Sequence, residues 1–250
     1  MATFKTEETE GGRFITHLKI TDKTQQVGLM SSTPEHNDHS TPESAQASVR
    51  ALRALMPRLD PVAIDVILRA ARSHYAWTDK PVSEDTLREL FAITAAGPTS
   101  MNTSPARFIF IKSEEARLRL ATSLKEKNIP KVMNAPVTVI IAFDLDFWKE
   151  LPFLFPHEDR RAHFRGKEQH CHDTAFHNST LQAAYFMIAA RSLGLDVGAL
   201  SGFSNEIVDK EFFADTSLRS NFLCNLGYAD ESAIFQRLPR FSFEQACSFV

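Results

Sequence analysis

"AGPTSMNTSPARFIFI", residues 96–111, decides how the rest of the chain is read. A helix-like pattern closes on Gly97, a knot of Pro, Thr, Ser and Asn follows, and residues 106–111 read as a hydrophobic strand. A plain turn needs about two or three such residues. This run is much longer, and so much small, hydrogen-bond-rich chain between two core elements reads as a surface on which something is laid.

Working towards the N-terminus, Ser83 caps a helix with Glu84 and Asp85 in its first turn and Leu87, Leu90 and Phe91 on one face. Before it, Asp60 and Pro61 open a helix read across "PVAIDVILRAARSHYAW" (61–77), and "SVRALRALMPRLD" (48–60) carries an apolar stripe that Pro57 ends. Residues 1–45 are rich in Thr, Ser, Glu, His, Asn and Pro without a sustained period, and read as a poorly ordered polar tail ahead of a single domain over 46–250. Met30 offers a second possible start, which would make the preceding residues an upstream extension.

Working towards the C-terminus, Ser113 starts a charged helix running to about Lys127, and "APVTVIIAFD" (135–144) has the continuous apolar character of a strand buried on both faces. "FWKELPFLFPHEDRRAHFRGKEQHCH" (147–172) mixes aromatics, charges and prolines, as an irregular excursion serving as a lid or subunit contact would. The longest helix is read over "TAFHNSTLQAAYFMIAARSLG" (174–194), apolar almost all round and therefore central. Strand "DVGALS" (196–201), a helix over 204–213, strand "SNFLCNLGY" (220–228) and a tail with a Ser242–Gln245 capping box complete the chain. Helices and strands interleave as in an α/β or α+β sandwich around a small mixed sheet.

At 250 residues with a net charge of -3, the composition is that of an ordinary globular protein. Basic residues are scattered, which argues against a nucleic-acid partner. No apolar run reaches the roughly 18 residues of a membrane span and no signal-peptide pattern opens the chain, so the cytoplasm is the expected compartment. Cys171, Cys224 and Cys247 lie too far apart to suggest a disulfide framework or cysteine zinc site. Twenty phenylalanines against three tyrosines imply large dry contact surfaces, in a core or between subunits.

Gly194, Gly198 and Gly202 follow a helix rather than a strand, and neither a dinucleotide fingerprint, a Walker loop nor a nucleophile elbow is present. His170, Cys171, His172 and His177 lack the spacing that converges imidazoles on one ion, so no metal is expected there. Arg72 and His74 admit two readings, as groups answering a helix dipole or as donors gripping a phosphate, and Arg237 and Arg240 are equally ambiguous.

Taken in order, "ARSHYAW", "GPTSMNTSPARF", "NIPKVMNAPV", "LGLDVGALSGF", "NLGYAD" and "RLPRFSFEQA" resemble the FMN-dependent nitroreductase family over about residues 55–250. The likeness is strongest to its RutE/HadB-like branch, which includes malonic semialdehyde reductase and resembles 3-hydroxypropionic acid dehydrogenases. The resemblance implies an α+β, three-layer nitroreductase-like fold with helices around a small mixed sheet and a long central helix, built as an intertwined homodimer with FMN at the subunit interface. It assigns Arg72, His74 and Arg240 to the FMN phosphate, Ser73 between them to cofactor binding, and Thr99, Ser100 and Asn102 to the isoalloxazine and ribityl chain. Asn128 and Lys131 fall at the pyrimidine edge, where a cation favours reduced flavin, and Ser201 and Gly202 fall beside N5. Tyr75 and Ala76 depart from a pattern in which many members carry a further basic residue, and Ser201 stands where many have Glu.

The activity implied is FMN-dependent, ping-pong hydride transfer from NADH or NADPH to a small-molecule substrate. Flavin N5 performs the chemistry, so no side chain is assigned as catalytic. The branch implies reduction of malonic semialdehyde to 3-hydroxypropionate; a broad nitroaromatic or quinone reductase and a non-catalytic FMN-binding protein are the alternatives. Phe153, Phe155 and Phe203 are candidates for lining the space above the flavin.

Overall fold

The computed structural model describes residues 2–8, 14–20, 42–55 and 58–250, and the chain divides into two compact units, residues 1–57 and 58–250. The second start at Met30 and the helix stop at Pro57 lie outside the described residues. In the first unit, strand β1 (Ala2–Glu8) pairs antiparallel with β2 (Phe14–Ile20), Ala2 opposite Ile20 and Glu8 opposite Phe14, and helix α1 covers Pro42–Leu55. The sequence reading assigned neither strand, because two short stretches in a polar tail carry too little local period to announce a cross-strand partner.

The second unit begins with α2 (Pro61–Ile64), whose first turn is capped by the Asp60 carboxylate accepting from the Val62 N–H at 2.7 Å. It widens into a π-helical turn over Asp65–Arg69 and stops at Ala70. The helix read through residue 77 therefore ends seven residues early. Beyond it the chain is captured by a sheet edge: Ser73 bridges Val197 in parallel, and the His74 N–H donates to the Val197 carbonyl at 3.0 Å. Tertiary pairing has overridden the helix propensity of "RAAR".

Helix α3 (Glu84–Ala95) starts where expected, with Ser83 Oγ accepting from the Thr86 N–H, and is followed by the 98–105 loop and β3 (Ala106–Ile111). Helix α4 (Glu114–Ala121) is shorter than read. A 3₁₀ turn at Glu126–Asn128 leads into α5 (Ile129–Met133) and then β4 (Val137–Asp144). The excursion contains α6 (Leu151–Leu154) and α7 (Arg161–Phe164). Helix α8 (Glu168–Ser192) is the longest, and β5 (Asp196–Leu200), α9 (Asn205–Phe212), β6 (Leu218–Gly227) and α10 (Phe243–Ala246) follow. Helix α8 begins six residues before the reading at Thr174 because no side-chain cap marks its start.

The sheet order is β3-β4-β6-β5, antiparallel throughout, so the parallel component of the expected mixed sheet is confined to the Ser73–Val197 bridge. Strand β4 lies between β3 and β6, and its alternation divides the core. Val137, Val139 and Ile141 pack with Leu87, Leu90, Ala183, Phe186 and Ala190 of α3 and α8 on one side. Ile140 and Ala142 pack with Leu120, Val132 and Val208 of α4, α5 and α9 on the other. This is a three-layer α+β arrangement. Phe143, Phe147, Leu151, Phe164, Cys171 and Ala175 form a separate cluster under the excursion. Helix α8 buries Ala183, Phe186 and Ala190 but exposes Phe176, Leu181, Tyr185 and Ile188, so its all-round apolarity exceeds what one chain covers.

Candidate functional site

The segment after α2 runs as an extra strand between two neighbours. On one side is β5; on the other, the Thr78 N–H donates to the Tyr228 carbonyl and the Asp230 N–H to the Ala76 carbonyl. Asp196 ties both sides together, with Oδ1 3.2 Å from His74 Nε2 and Oδ2 accepting from the Ala229 N–H at 2.9 Å. The close approach depends on Gly198, since a Cβ there would sit 2.2 Å from the His74 carbonyl oxygen. His74 is 8% exposed, and its Nε2 and backbone N–H are both engaged, which leaves Nδ1 for a ligand.

This construction walls a cavity of about 720 Å³ lined by Arg72, Ser73, His74 and Tyr75 on one side and by residues 233–238 and Arg240 on the other, with Arg191 from the end of α8. Four arginines, Arg72, Arg191, Arg237 and Arg240, line it together with one carboxylate residue, Asp230. Arg72 donates to the Ala70 carbonyl at 2.8 Å, Arg240 to the Leu238 and Pro239 carbonyls, and Arg237 to the carbonyls of Arg69 and Ala71. Burial pulls the Arg191 guanidinium below its ordinary pKa, the mark of a cation held partly out of water. The arrangement is suited to an anion with several acceptor oxygens.

A second group lies around Lys131. Its Nζ donates to Asn128 Oδ1 at 3.1 Å, and Asn128 Nδ2 donates to the Gly202 carbonyl at 3.0 Å. A Cβ at Gly202 would stand 2.2 Å from Asn128 Nδ2, so a side chain there would displace that amide. Ser201 is exposed at the same strand end. Lys131 and Tyr75 line a neighbouring cavity of about 700 Å³, and Tyr75 also lines the arginine cavity, so its ring belongs to the wall of both.

The loop that opened the sequence reading lies elsewhere in the chain. Thr99, Ser100 and Asn102 do not line the arginine cavity. The loop is held by its neighbours: the Ser100 N–H donates to Asn178 Oδ1 at 2.8 Å, Thr99 Oγ1 accepts from the Ser104 N–H, and Asn102 Nδ2 donates to the Leu154 carbonyl. Met101, Asn102 and Ser104 adopt left-handed φ values of 49°, 53° and 39°. Gln182, one turn along α8 from Asn178, accepts from the Ala106 N–H at 2.9 Å. The two amides thus clamp both ends of the loop.

The Nitroreductase family model matches residues 68–228. The chain belongs to the nitroreductase family. Relatives in two strains of Stenotrophomonas maltophilia, provisionally named NADH dehydrogenase/NAD(P)H nitroreductase, are 52% identical over 188 residues, spanning 75% of this chain and 96% of theirs. A Streptococcus pneumoniae nitroreductase family protein superimposes with TM-score 0.65 at 21% identity, over 74% of this chain and 98% of that one. A provisionally named nitroreductase from Exiguobacterium sibiricum, solved in complex with FMN, superimposes with TM-score 0.66 at 19% identity, over 77% and 98%. These likenesses establish the nitroreductase fold.

Within this family framework, the structure brings Arg72, Ser73, His74 and Arg240 together and joins Asn128, Lys131 and Gly202 by hydrogen bonds, while Thr99, Ser100 and Asn102 stand apart. Sequence reasoning missed Arg191, which looks like any basic residue closing a helix, and Asn178 and Gln182, whose only signal is a pair of amides four apart in an apolar helix. Arg237 was noticed without a role; its bonds to Arg69 and Ala71 make it the link between the two walls.

Proposed function

We propose that the chain is an FMN-dependent NAD(P)H oxidoreductase acting on a small oxidised substrate, with the arginine cavity as the seat of the FMN phosphate. The observation that carries this reading is the gathering of four arginines around one cavity in a nitroreductase-family chain. The residues fit the group: Arg72, Arg237 and Arg240 offer forked donors to phosphate oxygens, with Ser73 and His74 beside them. Bound FMN would supply hydride transfer at N5, taking a hydride from NADH or NADPH and passing it to the substrate in ping-pong order. Lys131 supplies a cation for the pyrimidine edge, Asn128 orients it, and the Ser201–Gly202 strand end brings backbone towards the ring.

We read the active form as a homodimer. Two features support it: the loop of Thr99, Ser100 and Asn102 does not line the arginine cavity, and apolar side chains remain uncovered on α8 and at Phe235, Leu238, Phe241 and Phe249. In a dimer each cavity would receive its loop from a second copy. The resemblance to the RutE/HadB-like branch makes malonic semialdehyde the substrate of choice, and a broad nitroaromatic or quinone acceptor is the alternative.

The test is an anaerobic absorbance spectrum of the purified protein, before and after addition of NADH and then NADPH. A flavin band that bleaches and then returns with malonic semialdehyde supports the full reading. Return only with a quinone or nitroaromatic redirects the substrate. A flavin band that neither donor bleaches identifies a binding protein without turnover, and no flavin uptake after reconstitution with FMN overturns the reading.

A further inference from the structure

Lys131 Nζ stands 4.5 Å from the centroid of the Tyr75 ring, within the range of a cation–π contact. Its other neighbour is neutral, the Asn128 amide oxygen at 3.1 Å. Among the described residues no carboxylate pairs with Lys131, although Lys112, Lys149 and several arginines are paired in this way. A carboxylate would orient the ammonium and cancel its charge in the same contact; a ring face and an amide oxygen orient it and leave the charge in place. Asn128 is itself held by its bond to the Gly202 carbonyl, its amide occupying the space that a side chain at Gly202 would take. Tyr75 is 44% exposed, so its ring is not placed there by core packing, yet it lines both the arginine cavity and the cavity of Lys131.

We propose that Tyr75 is a positioning residue for Lys131: its ring face holds the ammonium unneutralised at the cavity wall and so favours acceptance of electrons by the cofactor. The proposal rests on the FMN reading given above. It assigns a role to a position one residue beyond the phosphate-facing segment, and it divides the work between Asn128, which sets direction, and Tyr75, which holds the charge without quenching it.

The experiment compares the parent protein with Tyr75→Phe, which keeps the ring face, and Tyr75→Leu, which removes it. In the ligand-free protein, the Lys131 ε-methylene proton resonances are expected upfield from ring current in the parent and in Tyr75→Phe, and at ordinary positions in Tyr75→Leu. In the FMN-loaded protein, Tyr75→Leu is expected to have a more negative midpoint potential. Its reduction equilibrium constant should fall roughly two- to fivefold, the scale of an exposed cation–π contact, with Tyr75→Phe restoring the parent value. A parent that binds FMN without the upfield shift, or a Tyr75→Leu variant at the parent potential, overturns the proposal. A parent that has the shift but takes up no FMN overturns instead the functional reading on which the proposal rests.

Discussion

Replacing Asn178 by Ala tests the clamp on the 98–105 loop. Asn178 Oδ1 accepts the Ser100 N–H at 2.8 Å, and its Nδ2 returns to the Thr174 carbonyl within α8. Truncation removes the acceptor and leaves a part-buried backbone donor unpaired, at a cost of about 1–3 kcal/mol. Opening also releases backbone strain, because Met101, Asn102 and Ser104 sit in left-handed conformations that the surrounding bonds maintain. Because 1.4 kcal/mol is about tenfold, the opening equilibrium at Ser100 should rise roughly 5- to 150-fold. Amide hydrogen exchange at Ser100 and Thr103 reads the local opening, and denaturant unfolding reads the global cost. Asn178→Asp keeps an acceptor oxygen and should retain most of the Ser100 protection. Adding Gln182→Ala, which frees the Ala106 N–H, should give a combined effect that departs from additivity, since both amides restrain one segment. Unchanged Ser100 exchange in Asn178→Ala, together with stability within about 0.5 kcal/mol of the parent, would refute the clamp.

Arg240→Ala should raise the FMN dissociation constant by roughly 10- to 150-fold, the value of a charge-assisted contact, as measured by fluorescence titration. Its present bonds are local, to Leu238 and Pro239, so the melting temperature of the ligand-free protein should stay put. Arg237→Ala should weaken FMN to a similar extent and also lower that melting temperature, because it unties the two cavity walls; equal melting for both variants would contradict the assignment. Lys131→Ala should make the flavin potential more negative and slow reduction by NADPH while most FMN stays bound, and an unchanged rate would remove its role. Burial pushes the Cys224 thiol from 9.0 up to about 12. A proton kept longer in the folded state stabilises it below the unfolded value and is lost as pH climbs through that window. Parent stability should therefore fall by about 1.4 kcal/mol per pH unit more steeply than that of Cys224→Ala between those values; parallel pH profiles would exclude it.

Elements with local chemistry of their own were legible in the sequence. Ser83 with Glu84 and Asp85, the unbroken "VTVIIAF" run and the Ser242–Gln245 box each carry their signal within a few residues, and the structure has a capped helix, a strand buried on both sides and a capping box there. What depended on partners distant in sequence was not legible. Ala70 ends a helix through residues that favour helix, because Val197 offers a strand edge more than a hundred positions later. The start of α8 has no cap to mark it, and Asn178, Gln182 and Arg191 acquire meaning only from what α8 packs against. The six motifs carried the family. They did not indicate that Thr99, Ser100 and Asn102 would lie outside the arginine cavity of their own chain.

The arginine cavity has one wall from the start of the second unit and the other from the final residues, joined where Arg237 reaches the Ala71 carbonyl across 166 positions. A chain emerging from a ribosome therefore exposes Arg72 and His74 long before their opposite wall exists. Loading of any anionic ligand must wait for residues 233–240, and the ligand then becomes a late piece of biosynthesis, pinning that segment to residues 72–75. A chain truncated before Arg237 should hold a finished sheet and an open, unloaded cleft.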